Sequence, residues 1–210
     1  MELSLNIQTL AGLFISLVVL AAVPSTSVLL VSSRSAVYGF THGIAVAAGV
    51  VLADMLFISI ALYGMTLLLP WIGNWELFIR LLAAGYLFWL AIWLWRQTEQ
   101  QKPDLEVKQP ALFKTSFMMG VLVTLADQKA ILFYMGFFPA WLDLSQLSIL
   151  DTGFIFLITL LAVGGVKCFY AYLAATAGQL LFSEKLHQLN KLSAVLLLAL
   201  GTIVAFSLWQ

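Results

Sequence analysis

Charge is scarce in this 210-residue chain. Asp, Glu, Lys and Arg make up 10% of it, against about 25% in soluble globular proteins. The ten acidic and ten basic residues cancel, so net charge points to no nucleic-acid or acidic partner. Cysteine is almost absent as well. Cys168 alone cannot close an intrachain disulfide, run a dithiol relay or build a four-thiolate metal site. No Lys or Arg precedes Arg34, so the basic start of a cleaved secretory signal is missing and the first apolar run reads as a retained span. The sequence also lacks a phosphate-binding glycine loop, a metal-ligand cluster and a nucleophile–base pair at helical spacing. These absences point away from ATPases and hydrolases. No enzymatic activity, cofactor or bound metal is expected.

What the chain does have is apolar surface. Hydrophobic residues make up 62% of it. A soluble fold of this length cannot hide so much, so the solvent must be lipid. A spanning helix needs about 20 apolar residues. Six stretches qualify: about Thr9–Val31, Gly43–Leu69, Leu77–Trp95, Thr115–Pro139, Thr152–Phe182 and Leu192–Trp209. The expected architecture is therefore an all-α polytopic membrane protein. A polar segment, roughly Arg96 to Lys114, divides the six spans into two halves of three. An odd number of spans per half makes the halves enter from opposite sides, as in inverted-repeat transporters. The expected organisation is one membrane domain over 1–210. Repeat one covers about 1–96, a cytoplasmic linker about 97–113, and repeat two about 114–210.

Basic residues set the orientation. Arg34, Arg96, Lys102, Lys108, Lys114, Lys185 and Lys191 fall in the loops after the first, third and fifth spans, whereas the opposite side has only Arg80, at or inside the third span, and its loops carry Glu76, Asp143 and Asp151. Both termini are expected outside. Trp71, Trp75, Trp141 and Trp209 at outer span ends, with Trp93 and Trp95 at a cytoplasmic end, fit the preference of indole for the headgroup layer.

Four ionisable side chains fall inside spans: Asp54, Asp127, Lys129 and Lys167. Each costs about 2.5–3.5 kcal/mol at a helix centre. Such residues mark a solute pathway, a proton relay or an ion pair. The structural alternative is a pair of salt bridges, but buried pairs stabilise poorly because desolvation offsets their attraction. Asp54 stands apart, with no other charged residue between His42 and Glu76. It suits proton coupling or a substrate ammonium. Asp127 and Lys129 would point about 200° apart on a continuous helix, so either the helix unwinds there or they serve different neighbours.

Two polar interruptions occupy similar places in the two halves. Pro24 removes a backbone donor, with Ser25, Thr26 and Ser27 beside it to satisfy freed carbonyls; Asp127-Gln128-Lys129 interrupts the fourth span. Broken helices at matching positions in inverted halves point to a midplane binding site. Ala45, Gly49 and Ala53 on the second span, and Ala171, Ala175 and Gly178 on the fifth, mark close helix contacts and leave room for a homodimer. His42 reads as an interfacial residue, Cys168 as an apolar filler, and Gly164-Gly165 as a flexible or close-packed point.

At these residues the sequence resembles the lysine exporter family of bacterial amino-acid efflux proteins, particularly its homoserine/threonine-type branch. The family has Pro-Gly-Pro-Asn late in span one, then a glycine-rich approach to span two; here stand Pro24-Ser25-Thr26-Ser27, then Gly39, Gly43 and Gly49, with Asp54 following. The family has Asn-Pro-Lys-Ala in span four, then a proline; here stand Asp127-Gln128-Lys129-Ala130 and Pro139. The resemblance covers nearly the whole chain. It implies six spans in the bacterial inner membrane and proton-coupled export of an amino acid or derivative. Substitution of two motif prolines is expected to relax both breaks. The candidate site is Asp54, Asp127, Lys129, Lys167, Gln128, Ser25, Thr26 and Ser27, with Pro24 as the helix break. Two other functions fit the same residues: a cation or metal exporter, which two lysines in one core oppose, and a non-transporting scaffold subunit whose charges pair permanently.

Overall fold

The computed structural model describes residues 5–64, 112–143 and 147–176, with isolated positions at 81, 85–86, 88–89, 91–92, 95–96, 195, 198–199 and 202. The expected third and sixth spans, the linker from 97 to 111, Gly178, and Trp71, Trp75, Trp93 and Trp209 lie outside the described residues or are touched only at those isolated positions. Among the described residues all regular structure is helical.

α1 (Ile7–Ala22) starts at Asn6, whose side chain accepts the Thr9 N–H. α2 (Thr26–Tyr38) follows after a bend of 65°. It ends at Gly39, whose φ of +91° lets the chain turn at once into the next helix. α3 (Phe40–Gly64) has 25 residues, the last five in a π-helical turn. At about 1.5 Å per residue that is roughly 37 Å, enough to cross a hydrocarbon core of about 30 Å. α4 (Phe113–Leu125) and α5 (Gln128–Trp141) form a second bent pair, at 63°. α6 (Ile149–Thr176) has 28 residues, with a π-helical turn over Leu160–Gly164. Among the described residues two helices are therefore long and apolar enough to cross a membrane alone, or up to four spans if each bent pair counts as one.

Polar contacts fix which ends lie together. The Leu5 N–H donates to Asp151, and Tyr63 donates to Thr152 at 3.0 Å. The start of α1, the end of α3 and the start of α6 thus share one end of the bundle. At the other end, His42 meets Ser116 at 3.0 Å and Ser35 donates to the Ala171 carbonyl at 2.7 Å. The two bent pairs consequently run in opposite directions.

Small residues fasten the centre. A Cβ on Gly49 would run into the Phe117 carbonyl, and one on Gly120 into the Val46 carbonyl, so α3 and α4 cross backbone to backbone. Gly43 sits against Ser35 and Ala171. Of the small residues expected to pack on the fifth span, Ala171 does and Ala175 is exposed. The outward faces are apolar, with Ile15, Leu52, Leu122, Leu161 and Phe169 more than half exposed, as lipid contact requires.

Several expectations need correction. The first span does not stop at Val31 as one helix; it breaks at Val23–Ser25 and continues to Tyr38. Arg34 consequently sits on α2 rather than in a loop, and is buried against Met119 and the Tyr38 ring. Asp151 is likewise buried, in a capping box with Ser148 at the start of α6. Trp141 stacks on Phe137 at 5.5 Å and packs against Gly12, which ties α5 to α1.

Candidate functional site

Breaking a helix inside a membrane frees carbonyls at one end and N–H groups at the other. At the first break α6 supplies the carbonyl partners. Lys167 Nζ donates to the Ala21 carbonyl at 3.1 Å, and the Tyr170 hydroxyl donates to the Ala22 carbonyl at 2.9 Å. A cation at a helix C-terminus also meets the negative end of the dipole. The serine hydroxyls expected to serve those carbonyls do something else: Ser25 and Ser27 bond each other at 2.9 Å. Ser25 is the N-cap of α2, yet its side chain accepts no backbone N–H.

The second break is closed differently. Asp127 is the N-cap of α5 and its carboxylate accepts the Lys129 N–H at 3.0 Å. Side-chain hydrogen bonds thus hold both bends, of 65° and 63°, at positions where two motif prolines are replaced. The second break also settles the Asp127–Lys129 problem: the helix unwinds at Ala126, and both side chains face one hollow.

That hollow measures about 60 Å³ and is lined by Ala21, Pro24, Ser25, Ser27, Val50, Asp54, Thr124, Asp127, Lys129, Tyr134, Val163 and Lys167 among others. The four ionisable residues selected from sequence, with Pro24, Ser25 and Ser27, therefore converge on one cavity drawn from both breaks and both unbroken spans. Thr26 is exposed and lines instead a second hollow of about 400 Å³ with Trp89, Val123, Ala126, Leu132, Asp127 and Lys129. The Gln128 side chain lies outside the described residues.

Asp54 and Lys167 are both at least 95% buried, at 5% and 3% exposure. They line the same cavity without a direct ion pair among the described residues. Two cavity residues escaped the sequence reading. Tyr134 is fully buried, and Thr124 stands in the last turn of α4. Neither hydroxyl has a hydrogen-bond partner. The available signal was a lone hydroxyl among Phe133, Phe137 and Phe138, and a threonine just before the break.

No metal-ligand group of three or more His, Cys, Asp or Glu residues occurs among the described residues.

The family model for LysE type translocators matches residues 18–208. The uncharacterized membrane protein slr1627 of Synechocystis sp. is 40% identical over 205 residues, covering 98% of this chain and 99% of its own. The uncharacterized membrane protein PA4757 of Pseudomonas aeruginosa is 30% identical over 130 residues, 57% of each chain. No solved structure matches. A match over this much of the sequence, on a bundle whose two broken helices enclose a charged cavity, places the chain in the LysE type translocator family.

Proposed function

We propose that this protein is a secondary exporter of a small zwitterionic solute, an amino acid or derivative, coupled to proton uptake. The observation that carries the reading is the convergence of Asp54, Asp127, Lys129 and Lys167 on one cavity at two helix breaks. Two acids and two bases make that cavity neutral overall, which suits a solute carrying one charge of each sign. The N-terminus of α2, with the Ser25 and Ser27 hydroxyls, offers donors to a carboxylate. Asp54 offers its charge to an ammonium or a proton.

The cavity has room for a few waters at about 15 Å³ each. A solute of amino-acid size therefore requires the half-helices to part. The bent pairs are suited to this, because α3 and α4 are locked at Gly49 and Gly120 while the breaks are held by a few side-chain hydrogen bonds. Opposite direction of the two bent pairs supports six spans in inverted repeats, alternately opening the cavity to each side. The basic residues that follow the first, third and fifth spans in the sequence support a cytoplasmic position for the His42 end.

Two other readings are weaker. A cation exporter would place its cargo beside Lys129 and Lys167. A scaffold with permanently paired charges would use Lys167 on a carboxylate, whereas its ammonium donates to the Ala21 carbonyl.

The test is flux in proteoliposomes under an imposed pH gradient, with a panel of amino acids. At least one is expected to move with the gradient through the wild type, and Asp54→Asn is expected to abolish that coupling. Absence of flux for the whole panel, or gradient-driven flux unchanged in Asp54→Asn, overturns the reading.

A further inference from the structure

We infer that the second hollow receives the side chain of the exported solute, and that this side chain is bulky and apolar. This rests on the exporter reading and narrows its solute to one class.

Two hollows meet at the second helix break. Asp127 and Lys129 line both the central cavity of about 60 Å³ and its neighbour of about 400 Å³. The central cavity adds further charges, Asp54 and Lys167. The neighbour adds Trp89, Val123, Ala126 and Leu132, with Thr26 contributing a hydroxyl. Its volume falls in the range of about 300–1,000 Å³ found for small-molecule pockets, which are also mostly apolar with a few placed polar groups. A molecule with a charged head and an apolar tail suits the junction. Its head lies among the charges and its tail lies against the apolar wall.

That wall is held in place from two sides. Trp89 belongs to the expected third span. One turn before it, the Tyr86 hydroxyl donates to the Lys129 carbonyl on α5 at 3.0 Å, and the Tyr86 ring lies 5.8 Å from the Trp89 ring. The contact fixes the indole beside the first turn of α5. Trp89 and Leu132 are each 53% exposed, which leaves apolar surface for an occupant to cover.

The charged edge decides between occupants. A lipid chain filling the hollow would leave Asp127 and Lys129 against hydrocarbon, where ionised groups are costly. A zwitterion sets its own charges beside theirs. Within the hollow, Lys129 opposes a cationic side chain and Asp127 an anionic one. A methyl side chain leaves Trp89 and Leu132 uncovered. What remains is an apolar side chain of the size found in leucine, methionine or phenylalanine.

The experiment measures flux through the full-length protein in proteoliposomes under a pH gradient. The probes are alanine, serine, lysine, glutamate, leucine, methionine and phenylalanine. The best of the three large apolar probes should exceed alanine by on the order of 100-fold in kcat/KM, and lysine and glutamate should be the poorest. Leu132→Trp fills the hollow from a half-exposed position, so it should fold. It should cut the preference for that probe over alanine about tenfold, mainly through KM. Trp89→Ala, which removes the wall, should cut it as well. Similar kcat/KM across the panel, or a preference for serine, lysine or glutamate, overturns the side-chain site and leaves the exporter standing. A wild-type apolar preference that neither variant changes also overturns it, and is the result expected if lipid fills the hollow. Absence of flux for every probe removes the exporter reading and this one with it.

Discussion

Lys167 on α6 donates its ammonium to the carbonyl of Ala21, 146 residues earlier, at 3.1 Å. The contact satisfies a carbonyl that the break at Val23–Ser25 leaves without its helical partner, and Tyr170 does the same for Ala22 one helical turn along. A hydrogen bond to a charged group contributes about 1.5–3 kcal/mol, and one between neutral groups about 1 kcal/mol. Lys167→Met should therefore lower the stability of the detergent-solubilised protein by about 2 kcal/mol. Tyr170→Phe should cost about half as much, and Lys167→Arg should recover part of the loss. Equal melting temperatures for wild type and Lys167→Met would show that the break needs no cap.

Asp127 separates the contribution of a cap from that of a charge. Its carboxylate accepts the Lys129 N–H at the start of α5. Asparagine caps helices about as well as aspartate, whereas alanine costs about 1 kcal/mol. Asp127→Asn should keep stability but lower flux, because it leaves the cavity one negative charge short, and Asp127→Ala should in addition lose about 1 kcal/mol in chemical or thermal unfolding. Unchanged flux in Asp127→Asn with an unchanged melt would confine Asp127 to capping α5.

The sequence showed where the helices break but not what closes them. Pro24 and the Asp127-Gln128-Lys129 run are local polar interruptions in apolar stretches, and such interruptions are visible in one dimension. The partner of the Ala21 carbonyl comes from another span, and no local pattern encodes that contact; Lys167 therefore read as part of a solute pathway, a proton relay or an ion pair, and not as a cap. Gly49 was legible because close helix packing needs small residues at a four-residue spacing. Tyr134 was hidden because an aromatic among Phe133, Phe137 and Phe138 looks like core. Arg34 was misplaced because counting basic residues treats any arginine near a span end as loop, and the helix in fact runs on past it.

The crossing of α3 and α4 makes a sharper steric prediction. A methyl group on Gly49 or Gly120 would meet backbone carbonyl oxygen, which cannot rotate aside as a side chain can. Overpacking of this kind costs about 1–3 kcal/mol. Gly49→Ala and Gly120→Ala should each reduce the yield of monodisperse protein and lower its melting temperature. Gly153 is the control. A Cβ there meets nothing within 4 Å, and alanine is the better helix former by about 0.5–1 kcal/mol. Gly153→Ala should melt at or above the wild-type temperature. A comparable loss in all three variants would mean that glycine at the crossing is not what sets the helix separation.

Arg34 poses the opposite problem, a buried charge with little to hold it. It is 5% exposed, and its contacts are the Met119 sulfur and the face of Tyr38, 5.2 Å from the guanidinium carbon. No carboxylate pairs with it among the described residues. Burying a charge without a counter-ion costs several kcal/mol, and apolar replacements of similar volume are often neutral or stabilising. The long aliphatic stem still contributes packing. Arg34→Met should therefore fold and melt at or above the wild-type temperature, whereas Arg34→Ala should melt lower because it leaves a cavity. If both variants melt well below wild type by similar amounts, the guanidinium itself holds α2 against α4.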